Sequence, residues 1–219
     1  MAGAAADGSA AKKKSLHASE RDTEENQRRR QVFQETIAGI APERLIFLDE
    51  SGVTTQMTRG YARACGGQRV AEATPQSHWK ILTILSALSL RGLLATMTIE
   101  EPTDGDIFLA YVEQVLCPAL RPGDVVIMDN LSAHKVAGVR ERIQAAGAEW
   151  LYLPPYSPDL NPIEKAWAKL KQLLRALKAR TAEALDRALA QLLPAITPDN
   201  AQAWFRHCGI NYIPQVNMP

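Results

Sequence analysis

The sequence predicts an α/β fold: a mixed sheet whose early strands pair antiparallel and whose later strands join in parallel through helical crossovers. Three observations carry this. Short apolar runs separated by turn residues occupy residues 44–99. After residue 105, strand-like runs alternate with helix-periodic segments. Two of the apolar runs stop abruptly on an aspartate, at Asp49 and Asp129. A chain of 219 residues has room for one sizeable core with short appendages.

The elements follow in order. Residues 1–25 are small, polar and charged, and are expected to be mobile. Residues 26–39 have modest helical character, ending near Gly39. We therefore read 1–40 as a flexible or helical extension. Residues 44–49 (RLIFLD) are a buried strand ending in a carboxylate. Residues 51–70, rich in Gly, Thr and Arg with a Gly66-Gly67 turn, are expected to form two short strands around loops. Residues 80–90 are a further strand, which Arg91-Gly92 turns into another over 93–99. Residues 106–116 place Phe108, Tyr111, Val112, Val115 and Leu116 at helical spacing, before Pro118 and Pro122-Gly123 stop the helix.

Residues 124–128 (DVVIM) form a buried strand ending at Asp129, 136–146 a helix closed by Gly147, and 149–153 (EWLYL) a last strand. Pro154, Pro155, Pro158 and Pro162 stiffen the loop that follows. Asn161 as N-cap and Pro162 at the first helical position predict a helix to about residue 178. Thr181 caps another over 181–193. Residues 211–219 read as a tail.

Composition narrows the class. The formal net charge is +1, so any binding to nucleic acid must come from local basic patches. The three cysteines, Cys65, Cys117 and Cys208, are far apart and form no CxxC pair, which argues against a zinc site or a disulfide framework. Residues 81–95 are too short and too interrupted by Arg91 to span a bilayer. The charge order of the first residues is the reverse of a signal peptide's. A soluble, cytoplasmic protein without a membrane partner is expected.

The chemistry lies in the carboxylates. In a mixed α/β sheet, sites gather at the carboxyl ends of strands. Asp49 and Asp129 on adjacent strands would sit side by side there. Two anions that close need a cation to coexist, and oxygen-only ligands favour Mg²⁺ or Mn²⁺. Either Asp alone could simply cap a turn. The third acid is Glu164, in the first turn of the helix opened by Asn161-Pro162. Alone it would be a glutamate favoured by the helix dipole. Its setting, LPPYSPDLNPIE over residues 153–164, is a rigid loop that would aim it at one place.

Together these pieces resemble the mariner-type DDE transposases, in particular their bacterial insertion-sequence branch. The matching segments are LIFLDESG around Asp49, VVIMDNLSAHK around Asp129 and LPPYSPDLNPIEKAWAKLK around Glu164, with 34 residues between Asp129 and Glu164. The resemblance spans roughly residues 40–210. It implies an RNase H-like five-stranded mixed sheet flanked by helices, with residues 41–210 as the catalytic domain. It also implies two-metal phosphoryl transfer on DNA, acting on transposon ends and target, and a homodimer in the DNA complex. Asp49 is then the ligand shared by both ions, with Asp129 and Glu164 each completing one side. Two points depart from the family's pattern. Cys65 in YARACGGQ stands where another residue type, often Pro, is expected. About forty residues precede the first strand, too few for the family's helix-turn-helix DNA-binding domains; an upstream DNA-binding half from another reading frame, or a remnant that only binds DNA or a partner, are the alternatives. A different RNase H-like nuclease is a third.

Further residues have two readings each. Glu50 should point to the face opposite Asp49 and act as a support rather than a ligand. Asn130 could orient a water or phosphate, or serve as a turn amide. His134 could touch a phosphate or move a proton, or simply begin a helix. In the helix of Glu164, Ile163, Trp167, Leu170, Leu174 and Leu177 form the core face. Lys171, Arg175 and Lys178 continue the face of Glu164, as a phosphate track or as a solvated face favoured by the dipole. Lys12–Lys14 and Arg28–Arg30 read as solvated or disordered.

Overall fold

The computed structural model describes residues 17–74 and 79–211. The Lys12–Lys14 run and most of the expected C-terminal tail lie outside the described residues. One five-stranded sheet has the order β3-β2-β1-β4-β5, formed by β1 (Leu45–Thr54), β2 (Ile81–Ser89), β3 (Gly92–Ile99), β4 (Val125–Met128) and β5 (Glu149–Tyr152). β1 is central. It pairs antiparallel with β2 and parallel with β4, which pairs in parallel with β5. The arrangement is the predicted mixed sheet of an RNase H-like domain.

Register brings the two aspartates together. Phe47 of β1 is the partner of Ile127 of β4. Counting two residues onward on each strand reaches Asp49 and Asp129, so both lie at the same end of the sheet. Because successive side chains alternate across a sheet, β1 divides its residues between two cores. Leu45 and Phe47 pack on one face with Phe33 and Ile37 of α1 (Glu24–Ala38) and with Trp167, Leu170 and Leu174 of α4 (Ile163–Leu177). Ile46 and Leu48 pack on the other with Phe108 and Tyr111 of α2 (Gly105–Tyr111) and with Val139 and Ile143 of α3 (Val139–Ala145). The first core also takes Leu185 of α5 (Ala182–Leu192) and Phe205 of α6 (Pro198–His207), whose ring meets Phe47 edge-on at 5.3 Å. Each of these fully buried side chains contributes about 1.5–3 kcal/mol of apolar transfer. No described helix is long and apolar enough to cross a membrane.

Four expectations need correction. Residues 51–70 do not hold two short strands: β1 runs on to Thr54, because Ser51 and Val53 keep the buried alternation and pair with Ile84 and Leu82. The segment after it is irregular, with a turn at Thr55-Gln56 and another at Gly66-Gly67, and is exposed from residue 59 on to Gly67. The helix expected over 106–116 changes character midway, an α-helical start capped by Asp104 giving way to a π turn over Val112–Leu116. The widened turn still buries both Val112 and Leu116. The helix expected from residue 136 begins three residues later, because Gly138 adopts φ +98° and its N–H donates to Glu141. Leu177, placed on the core face, is 49% exposed, since α4 ends there and Lys178 turns into the left-handed region.

Candidate active site

Asp49 lies midway along β1, opposite Ser86 of β2 and just beyond the stretch paired with β4. Each of its oxygens has a donor: the Glu50 backbone N–H reaches Oδ1 at 2.8 Å and the Asn161 side-chain amide reaches Oδ2 at 3.2 Å. Burial pushes the Asp49 carboxyl up to about 7. The Glu50 N–H opposes that rise, and the charges of Glu164 and Asp129 add to it. The three acids therefore share one electrostatic neighbourhood, although Glu164 itself is exposed in the first turn of α4.

Asp129 is prepared differently. Its Oδ1 accepts the Leu131 N–H at 2.9 Å and lies 2.7 Å from His134 Nδ1. His134 is fully buried, packed on the Phe108 ring at a centroid distance of 4.2 Å, and its Nε2 lies 3.6 Å from Glu50 Oε1. Burial alone would lower the imidazole. The two carboxylates win and raise it to about 9, so it is an imidazolium at neutral pH. In return, although burial raises both acids, His134 brings Asp129 and Glu50 below the ordinary carboxylate range. Glu50 does face away from Asp49, as strand alternation requires, and meets Asp129 through the buried histidine. With no exposed surface, His134 has no access to a phosphate.

The loop between β5 and α4 carries the rest. The Asn130 side-chain amide donates to the Leu153 carbonyl, which ties the end of β4 to the start of the loop. The amide thus spans 23 positions as a tie between strand ends. Asn161 is the residue that sequence reasoning misassigned. It reads as a helix cap, but its side chain makes no capping bond; Pro162 stands at the cap position and the Asn161 amide reaches 112 positions back to Asp49. The only local hint was an Asn three residues before the glutamate, which cap propensity explains equally well.

The basic face of α4 is shorter than expected. Lys178 lies beyond the helix end and pairs with Glu72 at 2.8 Å. Lys171 is partly exposed and Arg175 exposed, and neither is in an ion pair among the described residues.

Among the described residues, no three Asp, Glu, His or Cys side chains stand close enough together to hold a metal ion. The donor set at this end of the sheet is nonetheless oxygen-only and anionic, which suits a hard divalent cation.

Solved structures with the same fold agree with this architecture. The chain aligns with the mariner Mos1 paired end complex with Mg at TM-score 0.73 and 17% identity, over 94% of this chain and 68% of that one. It aligns with the Mos1 mariner paired end complex with Mn at TM-score 0.72 and 17% identity, over 92% and 63%. With the catalytic domain of Mos1 mariner transposase the values are 0.61 and 14%, over 89% and 90%. The chain thus spans less than two thirds of the Mos1 chain in the manganese complex. No curated protein sequence matches it. The family model described as DDE superfamily endonuclease matches residues 44–186. That span opens just before β1 and closes inside α5, enclosing Asp49, Asp129, the stiff loop and Glu164, and the chain belongs to this family.

Proposed function

We propose that this chain is the catalytic domain of a DNA transposase, cutting at the ends of a mobile element and joining the freed strand to target DNA. One observation carries the reading. The charges of Asp129, just after β4, and of Glu164, at the start of α4, both reach the Asp49 carboxyl on β1. The descriptions of the Mos1 complexes, which name paired ends, Mg and Mn, agree with it.

The donor set fits two Mg²⁺ or Mn²⁺ ions, which when bound activate an attacking oxygen and stabilise a leaving one. Asp49, Asp129 and Glu164 would be the residues that hold them. Glu50 N–H and Asn161 fix the orientation of the Asp49 oxygens. His134 keeps Asp129 ionised and immobile. Water attacks a phosphodiester at the element's end and releases a 3′-hydroxyl. That hydroxyl attacks a target phosphodiester, so one P–O bond forms as another breaks and no covalent enzyme intermediate is needed. Lys171 and Arg175 continue from Glu164 along α4 as contacts for DNA phosphates. Residues 41–210 form the catalytic unit, two copies act together to join two ends, and the reaction takes place on DNA in the bacterial cytoplasm.

The test is divalent-dependent cleavage and joining of end-containing DNA by the parent chain and by Asp129→Ala. The parent should yield both cleaved and strand-transfer products, and the variant neither. Cleavage without joining would instead favour a simple nuclease. Metal-independent products would contradict the proposal.

A further inference from the structure

The three arginines at 28–30 look alike in sequence but not in space. Arg28 and Arg29 are exposed, whereas Arg30 is 7% exposed. Its guanidinium spans from α1 to the loop before α4. Nη1 donates to Ser157 Oγ at 2.7 Å and to Asp159 Oδ1 at 3.0 Å, and Nη2 donates to Asp159 Oδ2 at 2.7 Å. This is the two-pronged geometry that only arginine offers a carboxylate. Arg21 adds a contact to Asp159 at 3.4 Å. Burial works to raise the Asp159 carboxyl, but Arg30 and then Arg21 hold it below the ordinary range. Buried Ser157 passes its own hydroxyl hydrogen to the Pro155 carbonyl at 3.0 Å.

Leu153 and Leu160 are buried near the ends of the loop, but its prolines leave few backbone donors. Pro154, Pro155, Pro158 and Pro162 have no N–H to donate. Tyr156 sits at φ +54°, a left-handed conformation that a non-glycine residue keeps only when its surroundings enforce it. The clamped Asp159 lies in the 3₁₀ turn Pro158–Leu160, and the next residue, Asn161, donates to Asp49. α4 then begins and presents Glu164.

We propose that Arg30 is a positioning residue for the active site. Through Asp159 and Ser157 it sets the loop that holds Asn161 against Asp49 and aims Glu164. The first helix therefore belongs to the catalytic apparatus, although it precedes the family-matched span. The inference rests on the carboxylates being the metal ligands, as proposed above.

The test uses the full chain with Arg30→Met, and Asp159→Asn as a near-isosteric second variant in case the first fails to fold. Ile37→Ala serves as a control, because it loosens α1 from the core without touching the guanidinium. Two measurements are made: amide hydrogen exchange over residues 156–165 without metal, and Mn²⁺ affinity from water-proton relaxation. Both clamp variants should speed exchange in that segment and weaken Mn²⁺ binding by about 10-fold, the usual loss when a ligand's support is removed. Ile37→Ala should lower the melting temperature and leave Mn²⁺ affinity at the parent value. Unchanged exchange in the clamp variants would overturn the clamp itself. Faster exchange with parental Mn²⁺ affinity, or an equal loss of affinity in Ile37→Ala, would overturn the positioning role. A parent chain that binds no Mn²⁺ while the clamp variants still loosen the loop would overturn the carboxylate reading beneath it and leave a purely structural clamp.

Discussion

Asp49, midway along β1, and Asp129, just past the end of β4, lie level in the register, yet their surroundings prepare them in opposite ways. Asp129 has a buried imidazolium against it and is held as an anion. Asp49 has only neutral donors, is pushed up to about 7 by burial, and feels two nearby acids. The difference follows from the two faces of the sheet. The α2–α3 face supplies His134 beside Phe108, whereas the α1–α4 face supplies Trp167 and the amide of Asn161. One carboxylate is held as an anion; burial holds the other closer to its neutral form.

The largest effect should come from removing either acid. Asp49→Ala or Asp129→Ala should lower DNA cleavage by more than about 100-fold, beyond the loss typical of a residue that only supports a ligand. Parallel circular-dichroism spectra would show that the fold survives.

Next comes the histidine that makes the two sides unlike. His134→Gln leaves Asp129 and Glu50 facing each other without a cation between them. Breaking a buried charged contact typically costs about 3–5 kcal/mol, and about 3 kcal/mol is expected here because the Asp129 side chain is 37% exposed and keeps some solvent. Urea unfolding measures it. The pH dependence has a definite sign. A histidine raised from 6.5 to about 9 contributes stability that is complete below pH 6.5 and lost as pH rises through 9. The parent should show that decline and His134→Gln should lack it.

Asp49→Asn tests the opposite side. An acid whose folded value lies above its ordinary 3.8 binds its proton more tightly in the folded state, so the parent loses stability as pH rises from about 4 through 7. The amide has no such cost. Asp49→Asn should match the parent near pH 4 and exceed it by about 2 kcal/mol at pH 8, a figure reduced from the full shift because the site is partly solvated. Equal stability at pH 8 would show that Asp49 is not strained as an anion.

The smallest effect concerns DNA rather than the acids. Lys171→Glu with Arg175→Glu should weaken DNA binding roughly 10-fold at low salt and reduce the slope of log affinity against log salt by about 2. An unchanged slope would remove α4 from the DNA path.

Much of this arrangement was legible in the chain. The apolar run before Asp129 announces a strand end, the run before Asp49 announces a strand, and alternation, a local consequence of a period of two, places Glu50 on the other face. The illegible parts depend on distant partners. Asn161 satisfies the preference for a helix cap so well that nothing local reveals its bond to Asp49. Arg30 sits in an Arg-Arg-Arg run that composition assigns to solvent, and only its bond to Asp159, 129 positions away, shows otherwise. The extension of β1 to Thr54 was hidden because Gly52 and the threonines resemble loop, and pairing with β2 outweighs that propensity.

The central claim is that these carboxylates hold divalent ions, and Mn²⁺ binding to the full chain by water-proton relaxation tests it most directly. The account predicts saturable binding that weakens as pH falls below about 7, as protons compete for Asp49, and that is lost in both Asp49→Asn and Asp129→Asn. No saturable binding by the parent, or equal binding by the two variants, would contradict it.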